Sequence, residues 1–193
     1  KTSSPVVLFS HGLGGTRDTC NYLGVHWSAR GFAVVFVQHP GSDDSVWKDQ
    51  PLLKRMSAMK RAASAENYLL RVEDVPAVLD QLESWNRENE HDLAGRLDVE
   101  HVGMSGHSFG AQTTQAICGQ SFGRRTLGDP RIKCGVAYSP GPPAAGSLDS
   151  AFASIKVPMF HLTGTLDDSP IGDTTAADRR KPYDHITKSD QYL

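Results

Sequence analysis

The chain's most reactive-looking segment is Gly106-His107-Ser108-Phe109-Gly110, which follows an apolar run and precedes the small residues Ala111-Gln112-Thr113. A serine hydroxyl is a weak nucleophile. It becomes useful when a base takes its proton, an acid orients that base, and N–H donors meet the charge that develops on the attacked carbonyl. A strand-to-helix turn tight enough to lift a serine Oγ clear of the backbone leaves no room for a Cβ two residues to either side. Glycine stands at both positions here. With a strand before it and a small-residue helix after it, Ser108 is the expected nucleophile rather than a chance match in a glycine-rich chain.

The other parts of such a site have candidates in chain order. Ser10-His11-Gly12-Leu13-Gly14-Gly15 closes an earlier apolar run, where a second oxyanion donor belongs. The Leu13 and Phe109 amides are the expected pair, and His11 is expected to order the loop. A dinucleotide-binding reading of the glycines fails, because Arg17 occupies the sixth position of G-x-G-x-x-G. The acid is sought in Thr163-Gly164-Thr165-Leu166-Asp167-Asp168-Ser169-Pro170, with Asp167 favoured and Asp168 the alternative. The base is harder to place. Only His185 follows the acid, and Tyr183-Asp184-His185-Ile186-Thr187 reads as the approach to one more strand, begun by Gln191-Tyr192-Leu193. The base is therefore expected beyond residue 193, with His185 the candidate inside the chain. His107 and His161 are expected to be structural. No histidine pair has metal-ligand spacing such as H-E-x-x-H, so no metal is expected.

The elements that must position these turns alternate. Val6–Phe9, Phe32–Val37, His101–Met104, Lys133–Tyr138 and Val157–Leu162 are short continuous apolar runs, as strands buried on both faces of a parallel sheet would be. Residues 18–30 carry Cys20, Leu23 and Trp27 at helical spacing, closed by Gly31. Residues 41–63 show no clean period and read as a loop with at most a short helix. From Ala65 to Trp85 the spacings of three and four predict helix. Pro76 is expected in the first turn of a separate helix capped by Asp74. The fold class is thus α/β: a mostly parallel sheet covered by helices on both faces.

At 193 residues, with 38% hydrophobic and 22% charged residues, the chain has the make-up of one globular domain. A net charge of -2 offers no footprint for nucleic acid, and no apolar run reaches the roughly 18 residues of a membrane span. Cys20, Cys118 and Cys134 are expected to be buried thiols. The chain starts at Lys1, almost on a strand, and stops on another, so it reads as part of a catalytic domain lacking strands at both ends.

Leu8-Phe9-Ser10-His11-Gly12-Leu13-Gly14, Ser28-Ala29-Arg30-Gly31-Phe32-Ala33-Val34-Val35 and the Ser108 pentapeptide resemble the platelet-activating-factor acetylhydrolase family of α/β-hydrolases. Dienelactone-hydrolase-like and cutinase-like polyester hydrolases are close in pattern. The resemblance spans most of residues 5–170. It implies a serine esterase that works through an acyl-enzyme on a small-molecule or polymeric ester, with no cofactor. The sequence departs from the mammalian plasma acetylhydrolase after Gly135–Tyr138, where Ser139-Pro140-Gly141-Pro142 replaces the expected acid. That moves the acid to the Asp167 turn, as in the cutinase-like branch, and weakens a phospholipid reading. Trp47 and Phe109 are candidate walls of an acyl site. A catalytically silent binding domain is the competing class, and a peptidase or acyltransferase is the alternative on the same site.

Overall fold

A computed structural model describes residues 3–193. Six strands form one sheet in the order β2-β1-β3-β6-β7-β8: β1 (Ser4–Ser10), β2 (Ala33–Val37), β3 (Leu97–His107), β6 (Ile132–Tyr138), β7 (Met159–Leu162) and β8 (Gln191–Tyr192). Every neighbouring pair is parallel. A small antiparallel hairpin, β4 (Ser121–Phe122) with β5 (Arg125–Thr126), stands apart. The connecting helices are α1 (Asn21–Ser28), α2 (Leu52–Ala62), α3 (Ala65–Arg87), α4 (Phe109–Ile117), α5 (Leu148–Phe152) and α6 (Ala176–His185).

Strand alternation decides the layers. Val6 and Leu8 join Val72, Val75, Leu79 of α3 and Ala111, Ala116, Ile117 of α4 in the main core. Phe9 turns the other way onto Phe36, with ring centroids 5.4 Å apart. There α1 crosses so closely that a Cβ on Gly24 would lie 2.7 Å from the Phe36 ring. Burying aliphatic side chains is worth about 1.5–3 kcal/mol each relative to exposure, so the α3–α4 face dominates cohesion.

The chain leaves β1 outward to β2 and then crosses back to β3 on the opposite side. The loops that follow β1 and β3 therefore diverge at the carboxyl edge. Such a reversal opens a crevice in a parallel sheet, and ligands of this architecture bind there. Both glycine turns lie at this one place.

Of the three cysteines only Cys118 is buried; Cys20 is half-buried and Cys134 exposed, contrary to expectation. Three expectations about the elements also need correction. Residues 52–62 are an α-helix rather than a loop. The helix starting in residues 18–30 is shorter, Asn21–Ser28. Pro76 does not open a second helix: α3 runs unbroken from Ala65 to Arg87, capped by Ser64, whose Oγ accepts from Asn67 N at 3.1 Å. The apolar face from Tyr68 to Leu82 is continuous, and burying it outweighs the hydrogen bond that proline removes from the Val72 carbonyl. Asp74 is free for another partner. Pro76→Ala should restore that bond and raise stability by about 1–3 kcal/mol, read as a higher urea midpoint at unchanged slope. A lower midpoint would mean that the packing of α3 requires the proline.

Candidate active site

The Ser108 turn has the strain that its sequence implies. Strand β3 ends at His107 and α4 begins at Phe109, leaving Ser108 at φ 55° and ψ −112°, a region that non-glycine residues enter only under constraint. The constraint is visible on both sides. A Cβ on Gly110 would overlap the Ser10 carbonyl oxygen, and one on Gly106 would sit 2.8 Å from the same atom. Ser108 N is held by the Tyr138 carbonyl of β6 at 2.9 Å. Ser108 itself opens onto two adjoining cavities of about 310 and 430 Å³.

The first glycine loop comes up beside it. A Cβ on Gly12 would lie 3.7 Å from Ser108 Cβ and 3.1 Å from His107 Nδ1. Gly15 N bonds to Gly12 O at 3.0 Å and Gly14 N to Ser42 O at 2.8 Å. Leu13 N–H, between them, has no acceptor among the described residues. Phe109 N–H starts α4 and has none inside the helix. Both cavities reach Leu13, and the smaller one also reaches Phe109. Trp47 does not wall an acyl site as expected. Its Nε1 donates to Gly14 O at 2.7 Å, bolting the loop from outside.

Beneath the loop lies a buried polar cluster that sequence reading missed. Arg71, on α3, is 1% exposed. Its Nη1 donates to Ser42 Oγ at 2.8 Å, its Nε to Thr113 Oγ1 at 3.2 Å, and its Nη2 to Ser10 Oγ at 3.1 Å and to the His11 carbonyl. The guanidinium also stacks over the Phe109 ring, 4.7 Å from its centroid. Burial draws its pKa down to about 9 against the opposing pull of Asp74 and Asp43, so it stays charged at neutral pH. His39 Nδ1 meets Asp74 Oδ2 at 2.7 Å and its Nε2 meets Ser10 Oγ at 2.9 Å. His11 Nδ1 donates to Gly12 O at 2.7 Å while Nε2 accepts from His39 N at 3.2 Å. An acceptor nitrogen must be unprotonated, so these partners assign His11 as neutral. The only sequence signal for the cluster was an arginine on the apolar face of α3.

The two aspartates separate. Asp167 lines the larger cavity with Ser108; Thr163 Oγ1 donates to its Oδ2 at 2.9 Å and Arg179 Nε lies 3.2 Å from its Oδ1. Arg179, 5% exposed, also ties the turn to β6 through the Ser139 carbonyl at 2.6 Å. Asp168 faces elsewhere and accepts from Ala176 N at 2.8 Å, at the start of α6. Helix α6 then runs from this carboxyl edge back toward the amino edge, where β8 begins. Its last residue, His185, pairs with Asp149 at 2.6 Å and is not brought to Ser108. His161 is buried, with Nε2 2.8 Å from Gln191 Oε1. His107 is the histidine that shares Ser108's cavity. Burial lowers its pKa, Asp167 opposes that shift and Arg179 adds to it. Among the described residues no cluster of His, Cys, Asp and Glu could hold a metal ion.

A strained serine between two obligatory glycines, at the point where a parallel sheet reverses its strand order, decides the architecture. The fold is that of the α/β-hydrolases. Residues 1–74 match the family model described as platelet-activating factor acetylhydrolase, isoform II. That stretch carries the first glycine loop, His39, Arg71 and Asp74, and stops before Ser108. The platelet-activating factor acetylhydrolase of Bos taurus is 27% identical over 180 residues, covering 82% of this chain and 39% of that protein. The one from Cavia porcellus is 25% identical over 183 residues, with the same coverage. The chain thus spans well under half the length of these relatives. A ferulic acid esterase from Streptomyces cinnamoneus superimposes with a TM-score of 0.58 at 20% identity, over 98% of this chain and 50% of its own.

Two outcomes follow from the buried cluster. Arg71→Met strands the oxygens of Ser10, His11, Ser42 and Thr113 and should cost about 3 kcal/mol or more, measured by urea unfolding at pH 7. Acid should also weaken the fold through His11, whose pKa burial lowers from 6.5 to about 4. The unfolded chain takes up that proton near pH 6.5 and the folded one only near pH 4. Stability is therefore complete above 6.5 and falls across that window, by on the order of 3 kcal/mol. His11→Gln should flatten the slope of stability against pH between those limits; an unchanged slope would place the titration elsewhere.

Proposed function

We propose that this chain carries the nucleophile, oxyanion donors and acid of a serine hydrolase that cleaves carboxylic esters through an acyl-enzyme. The observation that carries the reading is the backbone of Ser108, held in a strained turn beside two N–H groups with no acceptor among the described residues. Ser108 Oγ attacks the ester carbonyl carbon while a histidine takes its proton. The carbonyl oxygen, now negative, accepts from Leu13 N–H and Phe109 N–H. The C–O bond to the alcohol then breaks and the histidine returns the proton to the departing oxygen. Water, deprotonated by the same histidine, attacks the acyl-serine, and the acid leaves with Ser108 restored. Donors preorganised in this way are worth about 3–4 kcal/mol of transition-state stabilisation each.

Asp167 is the acid of this scheme. It faces the same cavity as Ser108, and Arg179 and Thr163 hold it there, whereas Asp168 is spent on the start of α6. The histidine comes from outside the described residues. His185 sits on a helix end that leads away from the cavity, and His107 shares the elbow's backbone with Ser108. The relatives are named for platelet-activating factor and the structural neighbour for ferulic acid esters. What they have in common is a carboxylic ester, and that reaction class is what carries over to this chain.

A fluorophosphonate probe should add its phosphonyl group to Ser108, located by peptide mapping in a mass spectrometer, and Ser108→Ala should take up none. In a chain extended past residue 193, Asp167→Asn should lower turnover by about 10³–10⁴, with Asp168→Asn far milder. Reversal of that order would make Asp168 the acid. Ester hydrolysis by residues 1–193 alone that vanishes in His185→Ala would make His185 the base.

A further inference from the structure

Leu13 N–H belongs to the peptide that joins Gly12 to Leu13, and that peptide lies in a loop with little stiffness of its own. Glycine stands at positions 12, 14 and 15, and glycines leave the neighbouring peptide planes free to pivot. A peptide unit is planar and trans, so its N–H points opposite to its C=O. Whatever fixes the Gly12 carbonyl therefore fixes the direction of Leu13 N–H. Two donors do so. Gly15 N bonds to Gly12 O at 3.0 Å from within the loop, and His11 Nδ1 lies 2.7 Å from the same oxygen on the buried side. With one donor the plane can turn about that single bond. With two, both lone pairs of the oxygen are taken and the turning stops.

The partners of the His11 ring fix where its proton is. The Gly12 carbonyl can only accept, and the His39 main-chain N–H, 3.2 Å from Nε2, can only donate. The single proton of the neutral ring therefore sits on Nδ1. Burial lowers the pKa to about 4, so the ring keeps this form at neutral pH. It is fully buried and lies against the His39 ring, with centroids 5.3 Å apart. His39 follows the end of β2, so the imidazole ties the Gly12 carbonyl to the sheet. Along this line each hydrogen bond polarises the next. Accepting at Nε2 makes Nδ1–H a stronger donor, and a carbonyl with two donors makes the N–H of its own peptide more positive. Nothing in the ester cleavage described above uses this ring.

We propose that His11 is a positioning residue of the oxyanion hole: its Nδ1–H holds the Gly12 carbonyl and so aims Leu13 N–H at the oxygen that turns negative when Ser108 attacks. The proposal rests on the esterase reading above, from which it takes the place of that oxygen. His11 lines neither of the cavities at Ser108 and acts through the Gly12–Leu13 peptide. A ring that served only to tie β2 to the loop would act through Nε2 instead. The two nitrogens can be tested apart, because the amide of an asparagine reaches as far as Nδ1 and that of a glutamine as far as Nε2.

The test uses the chain extended past residue 193 and compares His11→Asn with His11→Gln on 4-nitrophenyl acetate, well below the unfolding midpoint of each variant. His11→Asn keeps a donor on Gly12 O and gives up the bond from His39; it should retain about a third or more of the turnover. His11→Gln keeps an acceptor for His39 N–H and gives up the bond to Gly12 O. It should lower kcat by about 10–100-fold with KM within about twofold, short of the roughly 10²–10³ that losing such a donor outright costs. A trifluoromethyl ketone, whose adduct with Ser108 places a negative oxygen between the two amides, should bind His11→Gln more weakly by a similar factor. That comparison stands by itself if His11→Asn does not fold. Equal effects in the two variants, a deeper loss in His11→Asn, or a loss confined to KM would overturn the proposal while the unsubstituted chain's hydrolysis of the ester upholds the esterase reading. An unsubstituted chain that neither hydrolyses the ester nor takes a phosphonate overturns both.

Discussion

The guanidinium of Arg71 is where the two halves of the site are joined. Strand β1 and its glycine loop come from one end of the chain, and α4 with the elbow from the middle. They meet at the carboxyl edge because β1 and β3 are adjacent strands, and Arg71 fills the space between the Ser10–His11 backbone, the Ser42 turn and Thr113. An aliphatic side chain there would leave their oxygens unpaired. A lysine would offer a point charge, where the oxygens diverge in several directions and need the five N–H groups of a planar fork. The ring of Phe109, whose amide is one of the two proposed oxyanion donors, packs against the same cation. The spacing between the Leu13 and Phe109 amides is thus tied to one buried charge, presented by α3.

Legibility followed the range of the interactions involved. The Ser108 turn could be read because its requirement is local: two glycines, a strand and a helix within a few residues. The same holds for the strands, whose apolar runs sit within a residue or two of β1, β2, β6 and β7, and for the short β8 that Gln191 and Tyr192 open. What stayed hidden is long-range. The continuity of α3 through Pro76 depends on a face buried against β3 and α4, which no local rule weighs. Helix α2 is hard to read because its inward face is made of small and mixed residues: Ala58 and Ala62 are buried while the larger Leu52 and Leu53 are exposed. The bond between Trp47 and Gly14 links residues 33 positions apart, and Arg71 reaches Ser10 across 61. Neither pairing leaves a trace in spacing.

Asp167 and Asp168 show the same limit at a single turn. They are chemically identical neighbours, and only the direction of the chain after Thr163 tells them apart. Arg179, coming back on α6, donates to the Asp167 main-chain oxygen at 2.6 Å and also meets its carboxylate. The acidic turn is therefore clamped from the far side by a cation, and Ser139, itself at φ 50°, is held by that arginine too. The Asp167 carboxylate is thus held by Thr163 on one oxygen and by Arg179 on the other.

The run of contacts from Ser10 through His39 to Asp74 has the same order of atoms as a serine protease triad: hydroxyl to Nε2, Nδ1 to carboxylate. It has no chemistry to offer. Ser10 and His39 are fully buried, and the lone pair an electrophile would need already receives an N–H from Arg71. A search by side-chain geometry alone would therefore find this constellation complete and that of the proposed nucleophile, Ser108, incomplete. What separates them is access. A reactive serine has to keep one face of its oxygen unclaimed by the protein, and in this molecule the strained turn at Ser108 does so, while Ser10 has given every face away to hold the fold.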